Sequence, residues 1–429
     1  MRQMFCRRRL LVPPPRRLII PQPPAPVDIP ADVTVTGRDA LLAALSAAPS
    51  DLGRDFVIRA VPGPAYGYLG LSGYGRGATR VRLVGARGAL PNIAGVDATG
   101  ASNLSLERLA IVGDTLDPFG FPAGSSVSSR GVLLTRSTDC RLWGCLVEDM
   151  AIGAEANGST DVEIGWNTIR SFAIDGLRLY ELPSEGRPVV RPHVHHNVID
   201  VNSPFPKWPD LATLGLHYAL PRTCAIDPRR SDQDGYGNAD SYVLPPVGAP
   251  ILVTRDTKLG RHADCSQMAG QSVDAVIEDN DFVTSNLYCH GIFTDNGPTE
   301  TAATTSGLII RRCRFTTAHV NAICAEGWDS TCRVEDCLIR NQPVRNWAIG
   351  MPDGSADNLD LMRPSISTRK NTGALVRIIN TVCPAQASTY WMQASRISAT
   401  GLIYSDTEVP VGWEAMDVAR GLVGHLQAP

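Results

Sequence analysis

The chain has 429 residues, 43% of them hydrophobic and 19% charged, and a formal net charge of −3. That balance suits a globular protein with a sizeable core and gives no global case for nucleic acid or for an anionic membrane. Plentiful glycine (39) and proline (32) against 6% aromatics favour many short strands joined by turns over long helices, and there is no apolar run of the ~18 residues a membrane span needs.

Residues 1–30 read as an arm, with six arginines, eight prolines and no acid before Asp28. Such a segment buries too little apolar surface to fold alone. Pro13 cuts its apolar stretch well short of the roughly 7–15 residues of a secretion signal. The expectation is a chain assembled in the cytoplasm without a signal peptide. Eleven cysteines, an odd number in no compact framework, agree with a reducing compartment. A short amphipathic helix is predicted from Thr36, then a strand over 56–61 and a Gly-rich turn. Such a helix would cap an open sheet edge.

From about residue 31 to 340 the chain repeats the pattern apolar-x-apolar-x-x-(Asn, Cys or Leu)-x-apolar. Its copies begin at Val81, Leu104, Cys140, Val162, Pro192, Ala275, Leu308 and Cys332, spaced 23, 36, 22, 30, 83, 33 and 24 residues apart. Period-2 alternation marks a strand. The spacer marks a bend, and a base period near 22–24 with variable extras marks a solenoid with loops inserted on its coils. At the bend, Asn167, Asn197 and Asn280 suit side-chain hydrogen bonds along the axis, while Cys145, Cys313 and Cys337 serve as small hydrophobes. Cys140 and Cys332 take inward positions too. A second strand follows each bend, with copies at Gly153, Gly176, Gly291 and Ala322. The fold class predicted is all-β: a right-handed single-stranded parallel β-helix of roughly ten coils, about 50 Å long at ~4.8 Å per strand, with an N-terminal capping helix. The longest spacing marks an insertion at about 203–259. Residues 341–429 read as further coils or a cap.

This order of capping helix, strand, turn and Asn/Cys-bend coils resembles the pectate-lyase-like superfamily of parallel β-helices over about 300 residues. The segment His262-x-Asp264-x-x-Gln267 is similar to a motif of many bacterial and phage members, with Cys265 and Ser266 replacing the usual Gly and Ile. The N-terminal arm and the missing signal peptide resemble phage tail fibres, tailspikes and gene transfer agent spikes. That resemblance implies a homotrimer on a virion or phage-like particle. It also implies docking to particle proteins through residues 1–30 and binding of cell-surface polysaccharide, with no nucleic acid or membrane insertion.

Aligning the second-strand copies places Asp264 beside His290 on successive coils, with Gln267 beside Phe293. Arg178, Glu155, Tyr180, Asp295 and Glu326 fall in neighbouring columns, and Asp175 and Asn321 share the column of Asp264. This predicts an outward band of acids, a histidine, an arginine and aromatics. Such a band suits sugar recognition, with rings under apolar sugar faces and carboxylates on hydroxyls. It also suits acid–base chemistry. The candidate catalytic residues are His262, Asp264, His290 and Asp295. The candidate substrate-binding residues are Gln267, Arg178, Tyr180, Phe293, Trp208 and Tyr236, the last two on the insertion. A solvated polar face is the bland alternative.

No cofactor is assigned. Asp232, Asp234, Asn238 and Asp240 have calcium-loop spacing, but Tyr236 and Val243 stand where oxygen ligands belong, so a plain turn competes. His193, His195 and His196 invite a zinc reading, but no Cys or carboxylate is spaced to complete it. Three functions compete: a particle fibre or spike binding a surface glycan, a polysaccharide lyase or glycoside hydrolase, and a structural particle component.

Overall fold

The repeat becomes strands wherever apolar residues alternate, and these strands stack coil on coil. The structure is a computed structural model. It describes residues 30–86, 90–113, 130–170, 172, 175–200, 264–284, 290–295, 305–317, 321–341, 364–368, 371, 374–385, 387 and 392–413. The described strands form sheets of 12, 10, 9 and 3 strands. Pairing between coils is parallel throughout, as in Leu142↔Ile164 and Ile164↔Val194. The chain is an all-β, right-handed parallel β-helix, the hand expected of parallel strands joined by crossovers.

Alternate strand residues point inward and line up across coils. Leu106, Leu142, Ile164, Val194, Ile277, Ile310, Val334 and Ile378 form one such column, each fully buried. Burying an aliphatic side chain stabilises the fold by about 1.5–3 kcal/mol. That offsets the roughly 1–2 kcal/mol that a left-handed corner residue costs. Such residues recur at the bend: Arg108, Trp166, His196, Asp279, Arg312 and Asp336 have φ from 50° to 62°.

The bend ladder forms as expected. The Asn197 side chain accepts from the backbone N and Nδ2 of Asn167 at 2.9 Å, and donates to Asn280 Oδ1 at 2.9 Å. Cys145 continues it on one side, its N–H on Asn167 Oδ1, and Cys313 on the other, its Sγ 3.9 Å from Asn280 Nδ2. The cysteines at template positions are buried free thiols. Burial pushes the Cys145 and Cys332 thiols up to about 12, which makes them packing groups.

Helix Arg38–Ala47 caps the first coil with Leu41, Ala44 and Leu45 turned to the core. Its last carbonyls receive Tyr74 Oη and Arg76 Nη2, which satisfies acceptors that a helix end leaves open. Parallel pairing also continues past residue 340. Val376–Ile379 pairs with Arg333–Glu335 on one side and Ile397–Thr400 on the other, and Ile403–Tyr404 closes the second sheet. Among the described residues no helix is long and apolar enough to cross a membrane.

Candidate functional site

The nine-stranded sheet carries the predicted band. Its register aligns Arg130, Ile152, Asp175 and Asp264 on successive coils. The pairs Ser266↔Ile292 and Ile292↔Ile323 extend that column to His290 and Asn321. Three residues along lies a second column of Glu155, Arg178, Gln267 and Phe293. Tyr180, Ala269 and Asp295 follow in a third.

Glycine lets these coils approach. A Cβ on Gly131 would lie 2.4 Å from the Gly153 carbonyl, one on Gly153 2.5 Å from the Gly176 carbonyl, and one on Gly291 2.5 Å from the Ala322 carbonyl. Each glycine directly follows the first-column residue of its coil, Arg130, Ile152 or His290.

Hydrogen bonds tie the first column together. His290 donates from its backbone N and from Nδ1 to Asp264 Oδ1, at 2.9 and 2.8 Å. With Nδ1 committed to the carboxylate, Nε2 lies 3.3 Å from Asn321 Nδ2. The Asp264 backbone N lies 3.3 Å from Asp175 Oδ1, and Asp175 Oδ2 accepts from Arg178 Nε.

Planar groups flank this chain. The His290 ring stacks on Phe293 at 4.7 Å. The Arg178 guanidinium lies 5.2 Å from the Tyr180 ring centroid, and Tyr180 Oη donates to Gln267 Oε1. Burial works against the Arg178 charge, but the carboxylates of Asp175 and then Glu155 hold it above its ordinary value. Burial, then the Asp175 charge, push the Tyr180 phenol up, so Tyr180 is a donor here and not a base. Glu155 binds Arg130 Nε at 2.7 Å and accepts from Asn157 Nδ2.

The alignment of Asp264 with His290 and of Gln267 with Phe293 is therefore present, but the outward exposure is not. Asp264 is 0% exposed, His290 5% and Phe293 7%. Asp264 and Gln267 are three residues apart, so strand alternation sets them on opposite faces; Asp264 shares the parity of the buried Ser266 and Met268. Arg178, Tyr180, Gln267 and Asp295 remain partly exposed. His262, Trp208, Tyr236 and the Asp232, Asp234, Asn238, Asp240 loop lie outside the described residues, as does residue 1–29 of the arm.

Arg130 and Asn157 were missed by sequence reasoning. Arg130 opens a strand outside the repeat template, though Arg130-Gly131-Val132 does carry the Gly-apolar signature of the second strand. Elsewhere, the histidines on the long sheet are wired to acids. His193 Nε2 lies 2.8 Å from Glu278, and His195 lies 3.2 Å from Glu163 and 3.0 Å from His196. Among the described residues no group of three or more His, Cys, Asp or Glu side chains is arranged to hold a metal.

No family model matches the chain, and no curated protein matches it. Solved structures do. The Dettilon tailspike protein gp208 is 12% identical, with a TM-score of 0.43 over 86% of this chain and 61% of that one. This chain thus aligns to less than two thirds of the tailspike's length. PfbA, a surface adhesin of Streptococcus pneumoniae, is 10% identical, with a TM-score of 0.41 over 86% of this chain and 84% of that one. The periplasmic alginate epimerase AlgG is 12% identical, with a TM-score of 0.31 over 82% and 78%. At these scores the fold assignment rests on the strand pairing described above, and no residue role carries across.

Proposed function

We propose that the chain is a fibre or spike of a phage-like particle that binds cell-surface polysaccharide along its nine-stranded sheet. The observation that carries this reading is the ledge formed by Arg178, Tyr180 and Gln267. It sets a phenol bonded to an amide, with a guanidinium beside the ring, in partly exposed positions one coil apart. Aromatic faces take the apolar side of a sugar ring, while the fixed polar groups take its hydroxyls. In this reading the basic arm of residues 1–30 docks to other particle proteins, the chain assembles as a homotrimer, and the insertion at 203–259 adds Trp208 and Tyr236.

The test is co-sedimentation and calorimetry of the purified chain with surface polysaccharide of its natural host. Tyr180→Ala and Arg178→Ala should each weaken binding by about tenfold, or ~1.4 kcal/mol. Failure of the unsubstituted chain to bind would leave the purely structural reading standing.

A second reading has one observation behind it. The Asp264–His290 pair has the geometry of a general base oriented by a carboxylate, which a lyase or hydrolase would use. Sizing the polysaccharide after incubation tests it. Fragments that vanish in His290→Ala and Asp264→Ala would establish turnover, whereas an intact polymer would exclude it.

A further inference from the structure

We infer that the ligand of this face is an uncharged glycan, one without uronate, sialic acid, sulfate or phosphate groups. This rests on the glycan-binding reading above and adds the chemical class of the ligand.

The nine strands hold two arginines, Arg130 and Arg178, and no lysine, against five carboxylates: Asp97, Glu155, Asp175, Asp264 and Asp295. The chain has only three lysines, Lys207, Lys258 and Lys370, and none is on a described strand. Both arginines are already engaged. Arg130 Nε binds Glu155 at 2.7 Å, and Arg178 Nε binds Asp175.

A site for an anionic polymer needs cations whose forks are free to meet carboxylate, sulfate or phosphate. Here the Nε of each arginine serves a carboxylate of the protein, so much of its charge is already balanced within the sheet. Anionic sugars would also approach a face whose fixed charge has their own sign, in a partly buried setting that screens it poorly. Neutral hydroxyls meet no such barrier. They donate to the partly exposed carboxylates of Asp97 and Asp295, and the partly exposed Tyr180 ring accepts the apolar sugar face.

The test uses one host polysaccharide in two forms, native and with its acidic sugars converted to neutral ones by carbodiimide–borohydride reduction. For a host polymer that is already neutral, the charged form is made instead by oxidising its primary alcohols. Affinity of the full chain is measured for both forms at low and at physiological salt. The neutral form should bind at least tenfold tighter, with little salt dependence. The Asp295→Asn variant, which folds around a partly exposed position, should narrow that gap by strengthening binding of the charged form. Equal affinity, or tighter binding of the charged form that weakens as salt rises, would overturn the inference while leaving glycan binding intact. Binding of neither form would overturn the glycan-binding reading itself.

Discussion

His290 and Asp264 are 26 residues apart in sequence, yet one carboxylate oxygen of Asp264 receives both the backbone N–H and the ring Nδ1–H of His290. The pair is buried between coils, so its first role is to hold the register of the sheet that carries Arg178 and Tyr180. Asp264→Ala should strand two donors, at about 1–3 kcal/mol each. Asp264→Asn retains an acceptor oxygen and should lose clearly less. Urea unfolding of the two variants checks the order; equal losses would mean that the oxygen is not what holds His290.

The Asn ladder makes a second prediction. Asn197 has neighbours on both sides, with Nδ2 also donating to the Ile164 carbonyl at 2.8 Å. Asn197→Ala should cost about 3 kcal/mol, because it leaves several buried polar groups without partners at about 1–3 kcal/mol apiece. Asn197→Cys should be milder, since cysteine already fills this corner at Cys145, Cys313 and Cys337. Thermal melts of the two variants test this, and the prediction fails if cysteine is the worse replacement.

Gly85 is a steric test of coil stacking. A Cβ there would lie 1.8 Å from the Arg108 carbonyl, a backbone atom that cannot swing aside. Gly85→Ala should destabilise by at least the ~1–3 kcal/mol typical of overpacking. Gly70→Ala is the control, because its Cβ would meet nothing within 4 Å. Unchanged melting of Gly85→Ala would refute the close approach.

Glu278 governs part of the acid stability. Its carboxyl is held far below the usual range, first by the hydrogen bond with His193 and then by Arg311 and Arg312. A lowered folded-state value means that the stabilisation is fully present above the unfolded value of about 4.3. It is lost as pH falls toward the folded-state value. The melting temperatures of the native chain and Glu278→Gln should therefore differ at neutral pH and converge below about pH 4. A difference that stays constant across that window would contradict the linkage.

What the sequence determined by itself is the solenoid. The alternation in stretches such as Val162-x-Ile164-x-x-Asn167-x-Ile169 lies within one strand and one corner, and local burial alone enforces it. The copies then align because equivalent positions must stack to bury their side chains. That much also placed Asp264 beside His290 and Gln267 beside Phe293. Only the tertiary structure decided how deep those residues lie and which charges they meet. Asp264 is buried and not on an open band, Arg178 is engaged by Asp175, and Arg130 joins the face through Glu155. The contacts that tie coil to coil link residues as far as 90 positions apart, as between Gln271 and Glu181, and 89 apart between Asp264 and Asp175. Loops of unequal length separate such residues. No local pattern encodes those distances, because the register is set by the stacking of whole coils.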